Sequence, residues 1–337
     1  MNPGLKLEQP YQKVLVTGAA GFIGSTLVDR LLEQGKEVIG LDNFDPYYCL
    51  EQKRQNLSDA LQHPNFKMYE GDILNGPLLK EIFNLHSFDV VVHLAAKAGV
   101  RPSIEDPASY FKVNVDGTLN LLNQLRLSPQ TRLVMASSSS VYGNNLNAPF
   151  AETAETSQPV SPYAASKKAG EVLAHSYAEL YDIPMSLLRF FTVYGPRQRP
   201  EMAIAKFFKL IQDGQSVPMF GDGSTARDYT FVGDIVDGIL QSMTFTKGFE
   251  IYNLGNSSPV SLRQMIQTIG QTVGKPAFIQ ELPEQPGDVT LTCADIQKAR
   301  AQLDYHPQTS LAQGLALYAE WLSKEDAQPP LKAAARE

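Results

Sequence analysis

The sequence predicts an α/β protein: a doubly wound parallel sheet with a smaller mixed α/β C-terminal domain. Three observations carry this. Short apolar runs alternate with longer amphipathic stretches over the first 190 residues, the runs are apolar nearly throughout, and after about residue 190 Pro and Gly cut the chain into shorter segments. Strands alternating with helices make a parallel sheet. Continuously apolar strands fit a sheet covered on both faces.

The elements follow in order. Lys13–Thr17 (KVLVT) reads as a buried strand, and Phe22–Gln34 as a helix with Phe22, Ile23, Leu27, Val28, Leu31 and Leu32 on its apolar side. Glu37–Leu41, Phe66–Tyr69, Asp89–Leu94, Arg132–Ala136 and Met185–Phe190 read as further strands. Helical patterns lie between them at about 77–85 and 108–127, and another begins at Pro162. Residues 1–190 are thus expected to form the first domain and 191–325 the second, with interleaved segments and a polar, loose tail over 326–337.

Composition narrows the function. The 337 residues are 43% hydrophobic and 19% charged, ordinary for a chain with a real core. A net charge of -7 argues against nucleic acid or an anionic membrane as main partner. No apolar run approaches the ~20 residues of a membrane span, and the N-terminus lacks the apolar core of a signal peptide. Two cysteines, Cys49 and Cys293, make no disulfide framework and suit a reducing, cytoplasmic compartment. Five scattered histidines without ligand spacing argue against a metal site.

The turn Thr17–Gly24 (TGAAGFIG) follows the first strand and opens the first helix. Gly18 permits a tight turn, Gly21 lets the backbone approach a pyrophosphate, and Gly24 lets the helix pack on the sheet, with Phe22 and Ile23 offering N–H groups at the helix start. Asp42 ends the second strand 24 residues past Gly18, with Asn43 beside it, near the ~20-residue spacing at which an acid receives a ribose. This is the plan of a Rossmann-type dinucleotide domain, and Asp42 favours NAD over NADP. Asp72 and Ile73, after the third strand, are placed to clamp an adenine.

Ser161–Lys167 (SPYAASK) starts the later helix, with Tyr163 and Lys167 four apart on one face. An ammonium beside a phenol favours the phenolate, a base for a sugar hydroxyl. Ser138 closes a central strand on the carboxyl edge, where ligands bind in open α/β sheets. Its hydroxyl can bond the oxygen that Tyr163 deprotonates.

Together these residues resemble the extended short-chain dehydrogenase/reductase superfamily, in its nucleotide-sugar epimerases and dehydratases. The likeness runs from Lys13 to Trp321 through TGAAGFIG, Asp42, HLAA (93–96), Asn114, SVYG (140–143), SPYAASK, RFFTVYGPRQRP (189–200), RDYTFVGDIV (227–236) and QPGD (285–288). It implies Ser138, Tyr163 and Lys167 as the catalytic set and a tightly bound NAD, regenerated each cycle. Leu94, Ala95, Ala96, Asn114, Phe191 and Val193 are the other cofactor residues it implies.

The family's dehydratases and UDP-glucuronate decarboxylases carry an acid between the catalytic hydroxyl and VYG. Here Ser139 and Ser140 stand there, and neither is a general acid–base at ordinary pH. The serines therefore argue for oxidation and return at carbon 4 of a UDP-sugar. Thr192 and Gln285 replace an Asn and an Arg common in neutral-sugar relatives, and the pattern is most like UDP-glucuronate 4-epimerases. The likeness then implies that Ser139, Ser140 and Thr192 donate to the sugar carboxylate, with Arg199 and Arg101 as further carboxylate residues. Arg227 would hold the diphosphate and Phe220 the uracil, with Asp288 also at the substrate. A UDP-glucose or UDP-N-acetylglucosamine epimerase is the alternative; a UDP-glucuronate decarboxylase, a sugar-nucleotide dehydratase or a non-catalytic NAD-binding regulator ranks below it. A homodimer through the helices at about 108–127 and 162–181 is a further implication of the likeness.

Overall fold

The computed structural model describes residues 10–283 and 289–327. The chain opens with β1 (Lys13–Thr17), α1 (Phe22–Glu33), β2 (Glu37–Asp42), α2 (Leu50–Asn56), β3 (Phe66–Glu70), α3 (Gly76–Leu85) and β4 (Val90–His93). Next come α4 (Val100–Glu105), α5 (Pro107–Phe111), a π-helical segment Lys112–Gly117 and α6 (Thr118–Leu125). β5 (Arg132–Ser138) runs into a 3-10 turn, Ser139–Tyr142, and is followed by α7 (Pro162–Tyr181) and β6 (Met185–Phe190). The second half adds β7 (Thr192–Tyr194), α8 (Ala203–Gln212), β8 (Val217–Phe220), β9 (Ala226–Phe231), α9 (Val232–Phe245) and β10 (Phe249–Leu254). It ends with β11 (Pro259–Ser261), α10 (Leu262–Val273), β12 (Ile279–Leu282), α11 (Gln297–Leu303) and α12 (Leu311–Ala327).

Seven parallel strands form the main sheet in the order β10-β6-β5-β4-β1-β2-β3. Strand order reverses between β1 and β4, and that switch point opens a crevice at the strands' carboxyl ends. Alternate residues of each strand feed two cores. Val14, Val16, Val38, Val90, Val92 and Val134 pack on one face, and Leu15, Ile39, Val91, Leu133 and Leu187 on the other. A third core, with Phe207, Phe208, Ile211, Met265, Ile266, Ile269 and Leu315, joins α8, α10 and α12 beside two small sheets, β11-β9-β7 and β12-β8.

Three elements differ from the sequence pattern. The expected helix at 108–127 is broken by the π segment. β5 runs two residues further, because Ser137 and Ser138 pair in register with Arg189 and Phe190. α12 carries helix through Ala327, into the stretch read as tail; residues 328–337 lie outside the described residues. From the second half, β10 joins the main sheet beside β6, and α9 packs against α1 with Arg30 bonded to Asp237 at 2.7 Å. Among the described residues no helix is long and apolar enough to cross a membrane.

Candidate active site

A cavity of ≈ 780 Å³ occupies the crevice at the switch point, within the range of small-molecule sites. One end is the glycine turn. Gly18 has φ +73°, and a Cβ there would fall 2.8 Å from the Ala95 nitrogen. A Cβ on Gly24 would strike the Gly18 carbonyl, so the helix start packs this closely only without side chains. Gly21 precedes α1 without a side-chain cap, and the first turn holds no acid. The first N–H groups of α1 and their positive dipole end remain for an anion. Gly18, Gly21, Phe22, Ile23 and Gly24 all line the cavity.

Asp42 is 7% exposed. Its Oδ2 accepts from the Ala20 N–H at 3.0 Å and its Oδ1 from the Phe44 N–H at 2.8 Å. Burial pushes its carboxyl above the ordinary range, while Lys53 and these bonds pull it down. Lys53 Nζ stands 3.8 Å from Oδ1 and over the Tyr48 ring, and both side chains reach the cavity. Asn43 donates to Asp72 at 2.8 Å, tying the two loops that border this end. Ile73, Leu94, Ala95, Ala96, Phe191 and Val193 continue the wall. Glycine turn, uncapped helix and buried acid together form a cradle that suits a dinucleotide.

Asn114 does not reach this cavity. It lies in the π segment, exchanges bonds with the Lys97 backbone at 2.8 and 2.9 Å, and donates to Ser166 at 2.9 Å. It therefore shapes the wall at one remove.

The other end carries the hydroxyls. Ser138 Oγ accepts from the Ser140 N–H at 3.2 Å and from the Ser140 hydroxyl at 2.9 Å. With those lone pairs engaged, Ser138 is left with its own proton to give, and it shares the cavity wall with Tyr163. Tyr163 sits in the first turn of α7, which Ser161 caps by accepting from the Ala164 N–H at 3.1 Å. Tyr110 braces it edge-on, with ring centroids 6.2 Å apart.

Lys167 Nζ donates to the Ala136 carbonyl at 2.7 Å. Burial lowers its ammonium to about 8, and Glu171 pulls it up. This departs from the expectation that Lys167 depresses the phenol. Burial holds Tyr163 above its ordinary value, and the pulls downward come from the nearby Ser138 hydroxyl and the Arg199 charge.

Arg199 lines the cavity, donates to the Ala98 carbonyl at 3.2 Å, pairs with Glu201 at 3.2 Å and lies over the Tyr47 ring. Ser139, Ser140 and Thr192 line the same end. Phe220, Arg101 and Arg227 stand outside the cavity wall. Arg101 lies over the Phe220 ring at 5.8 Å, which brings those two together. Arg227, on β9, donates to the Ala226 carbonyl at 3.0 Å. Asp288 and Gln285 lie outside the described residues.

Sequence reasoning missed Lys53, Tyr47, Tyr48, Lys97 and Tyr110. Three of them, Tyr47, Tyr48 and Lys53, lie in the segment 43–56, whose chemistry shows only once Lys53 of α2 is folded against the acid of β2.

The model of the GDP-mannose 4,6 dehydratase family matches residues 15–317. The chain belongs to this family. Within it, the chain is 42% identical over 313 residues to a UDP-glucuronate 4-epimerase of Thermodesulfobacterium geofontis, covering 93% of this chain and 96% of that protein. It is 42% identical to UDP-glucuronate 4-epimerase 4 of Arabidopsis thaliana, over 91% of this chain and 74% of the plant protein. The structure superposes on a Bacillus cereus UDP-glucuronic acid 4-epimerase, solved with UDP-glucuronic acid and NAD, at a TM-score of 0.87. Identity there is 36%, over 93% of this chain and all of that one.

Proposed function

We propose that this protein is an NAD-dependent UDP-glucuronate 4-epimerase, interconverting UDP-glucuronate and UDP-galacturonate through a 4-keto sugar. One observation carries the reading. A single cavity runs from the glycine turn to Ser138 and Tyr163, and its far wall offers the hydroxyls of Ser139, Ser140 and Thr192 where an elimination would need an acid. Relatives 42% identical over nearly the whole chain, named for that activity, support it.

The cradle residues Gly18, Gly21, Gly24 and Asp42 would hold the cofactor by its pyrophosphate and ribose. NAD supplies, when bound, a reversible hydride acceptor for carbon 4. Tyr163 takes the proton of the 4-hydroxyl and returns it after the keto sugar has turned its other face. Ser138 gives its hydrogen bond to the oxygen at carbon 4 and stabilises charge as it develops there. Lys167 is fixed by the Ala136 carbonyl, within reach of a ribose in the same cavity.

Arg227 and Phe220 are read as diphosphate and uracil residues, Arg199 and Arg101 as carboxylate residues, and Asp288 as a substrate residue. Residues 1–190 serve the dinucleotide and 191–325 the nucleotide sugar, β10 and α9 returning to the first unit. A cytoplasmic homodimer completes the proposal. Val172 and Leu180, exposed on α7, support an interface there.

Incubation with UDP-glucuronate, UDP-glucose and UDP-N-acetylglucosamine in separate vessels tests the reading. UDP-galacturonate from the first is the expected product, and inversion of only a neutral sugar would overturn it.

A further inference from the structure

Behind the catalytic set lies a buried polar cluster that the reaction above leaves unused. Glu171, one turn past Lys167 on α7, is 2% exposed. Its Oε1 accepts from Arg189 Nε at 2.8 Å and from the Ser137 hydroxyl at 2.7 Å. Its Oε2 accepts from Arg189 Nη2 at 2.8 Å and from Lys168 Nζ at 3.2 Å. Arg189, on β6 and also 2% exposed, donates onward to the Tyr142 hydroxyl at 2.9 Å and the Glu152 carbonyl at 3.2 Å.

Apolar side chains of similar volume usually hold a core as well as a buried ion pair does. Stability alone does not account for this one. A planar fork on a carboxylate adds direction, and the direction here is informative. Ser137 immediately precedes Ser138 on β5, while Glu171 shares α7 with Tyr163 and Lys167.

We propose that Glu171 is a positioning residue for the exchange at carbon 4: gripped by Arg189, it holds the end of β5 against α7 so that Ser138 stays beside Tyr163 on the cavity wall, and it supplies the negative charge that faces Lys167. The inference rests on the epimerase reading above. Lys167 is desolvated, and Glu171 is the group that offsets the loss of its charge.

Other titratable groups surround Lys167. On α7 they are Tyr163 and Lys168. His93, on β4, is neutral, its imidazole pushed down to about 3 by burial. Arg189 and Tyr142 stand behind Glu171, and Arg199 and Tyr110 face Tyr163. Arg101 and Glu105 on α4, Lys112 and Asp116 in the π segment, Arg132 at the start of β5, and His175 and Glu179 further along α7 are further charged or titratable groups on α7 and the elements packed against it.

The test uses the full-length, NAD-loaded enzyme. Glu171→Gln keeps the side-chain shape and removes the charge. kcat is expected to fall by about tenfold or more with KM changed less than about twofold, the pattern of lost transition-state positioning. Activity that needs charged Lys167 is lost as pH rises through its pKa. Removing Glu171 lowers that pKa, so the alkaline limb of kcat moves to lower pH. Glu171→Asp keeps the charge and should return the limb to its wild-type place.

A readout independent of turnover is acylation of Lys167 by an amine-specific reagent, followed by peptide mass spectrometry. Reaction should set in at lower pH in Glu171→Gln. Unmoved limb and unmoved acylation profile overturn the proposal, and so does wild-type kcat. Because Glu171→Gln leaves Arg189 buried without its partner, Glu171→Gln/Arg189→Gln is measured alongside, with the same criteria for both outcomes. A wild-type enzyme that inverts no UDP-sugar strikes the functional reading instead, since the acylation profile is read without substrate.

Discussion

A phenol serves as a base near neutral pH only when something holds its anion. At Tyr163 the holders are the Ser138 hydroxyl and the Arg199 charge, working against burial. Tyr163→Phe should therefore keep NAD, seen by absorbance of the purified protein, while turnover falls by about 10²–10⁴. Arg199→Gln removes a cation that favours the phenolate. The phenol's pKa then rises, the active form appears only at higher pH, and the acid limb of kcat moves upward; an unmoved limb would deny Arg199 this part. Thr192, which lines the cavity, is expected to guard against a different failure. A 4-keto hexuronate is a β-keto acid and loses carbon dioxide when its carboxylate aligns with the carbonyl π system. Thr192→Ala should raise the share of decarboxylated UDP-pentose, measured by mass spectrometry of the products.

At the scale of elements, the turn between β1 and α1 has the least freedom. Gly18→Ala must hold φ near +73° and place a methyl 2.8 Å from the Ala95 nitrogen. A loss of about 1–3 kcal/mol with reduced NAD retention is expected, read by thermal unfolding and by bound-cofactor absorbance. This turn was legible in the sequence because its cause is local: glycine spacing, a strand before and a helix after. The end of β5 was not. Four serines read as a strand's end, yet two belong to the strand. What makes that possible is Glu171, 34 residues away, which takes up the Ser137 hydroxyl. The π segment escaped notice for a related reason. One inserted residue per turn leaves an amphipathic pattern nearly intact, while Asn114 is drawn inward by the Lys97 backbone. The pairing of Tyr163 with Lys167 was also legible, but not that the lysine would turn to the Ala136 carbonyl, since only folding shows which partner wins.

For the whole molecule, NAD binding is a stability term. A ligand that binds only the folded state at a hundred times its Kd adds about 2.7 kcal/mol. Stripping the cofactor should lower the unfolding temperature and adding it back should restore it; scanning calorimetry of both forms would show no difference if the cradle were idle. The first six strands were readable from their apolar runs. β10 was not, because nothing local says that a strand from the second half returns to the first sheet. That return has a consequence for synthesis. β6 lacks its outer neighbour until Leu254 has left the ribosome, and only then can Tyr142 find Asn253, to which its hydroxyl donates at 2.7 Å. A nascent chain halted at residue 190 exposes a raw parallel edge, and such a fragment should cling to chaperones while the complete polypeptide is released.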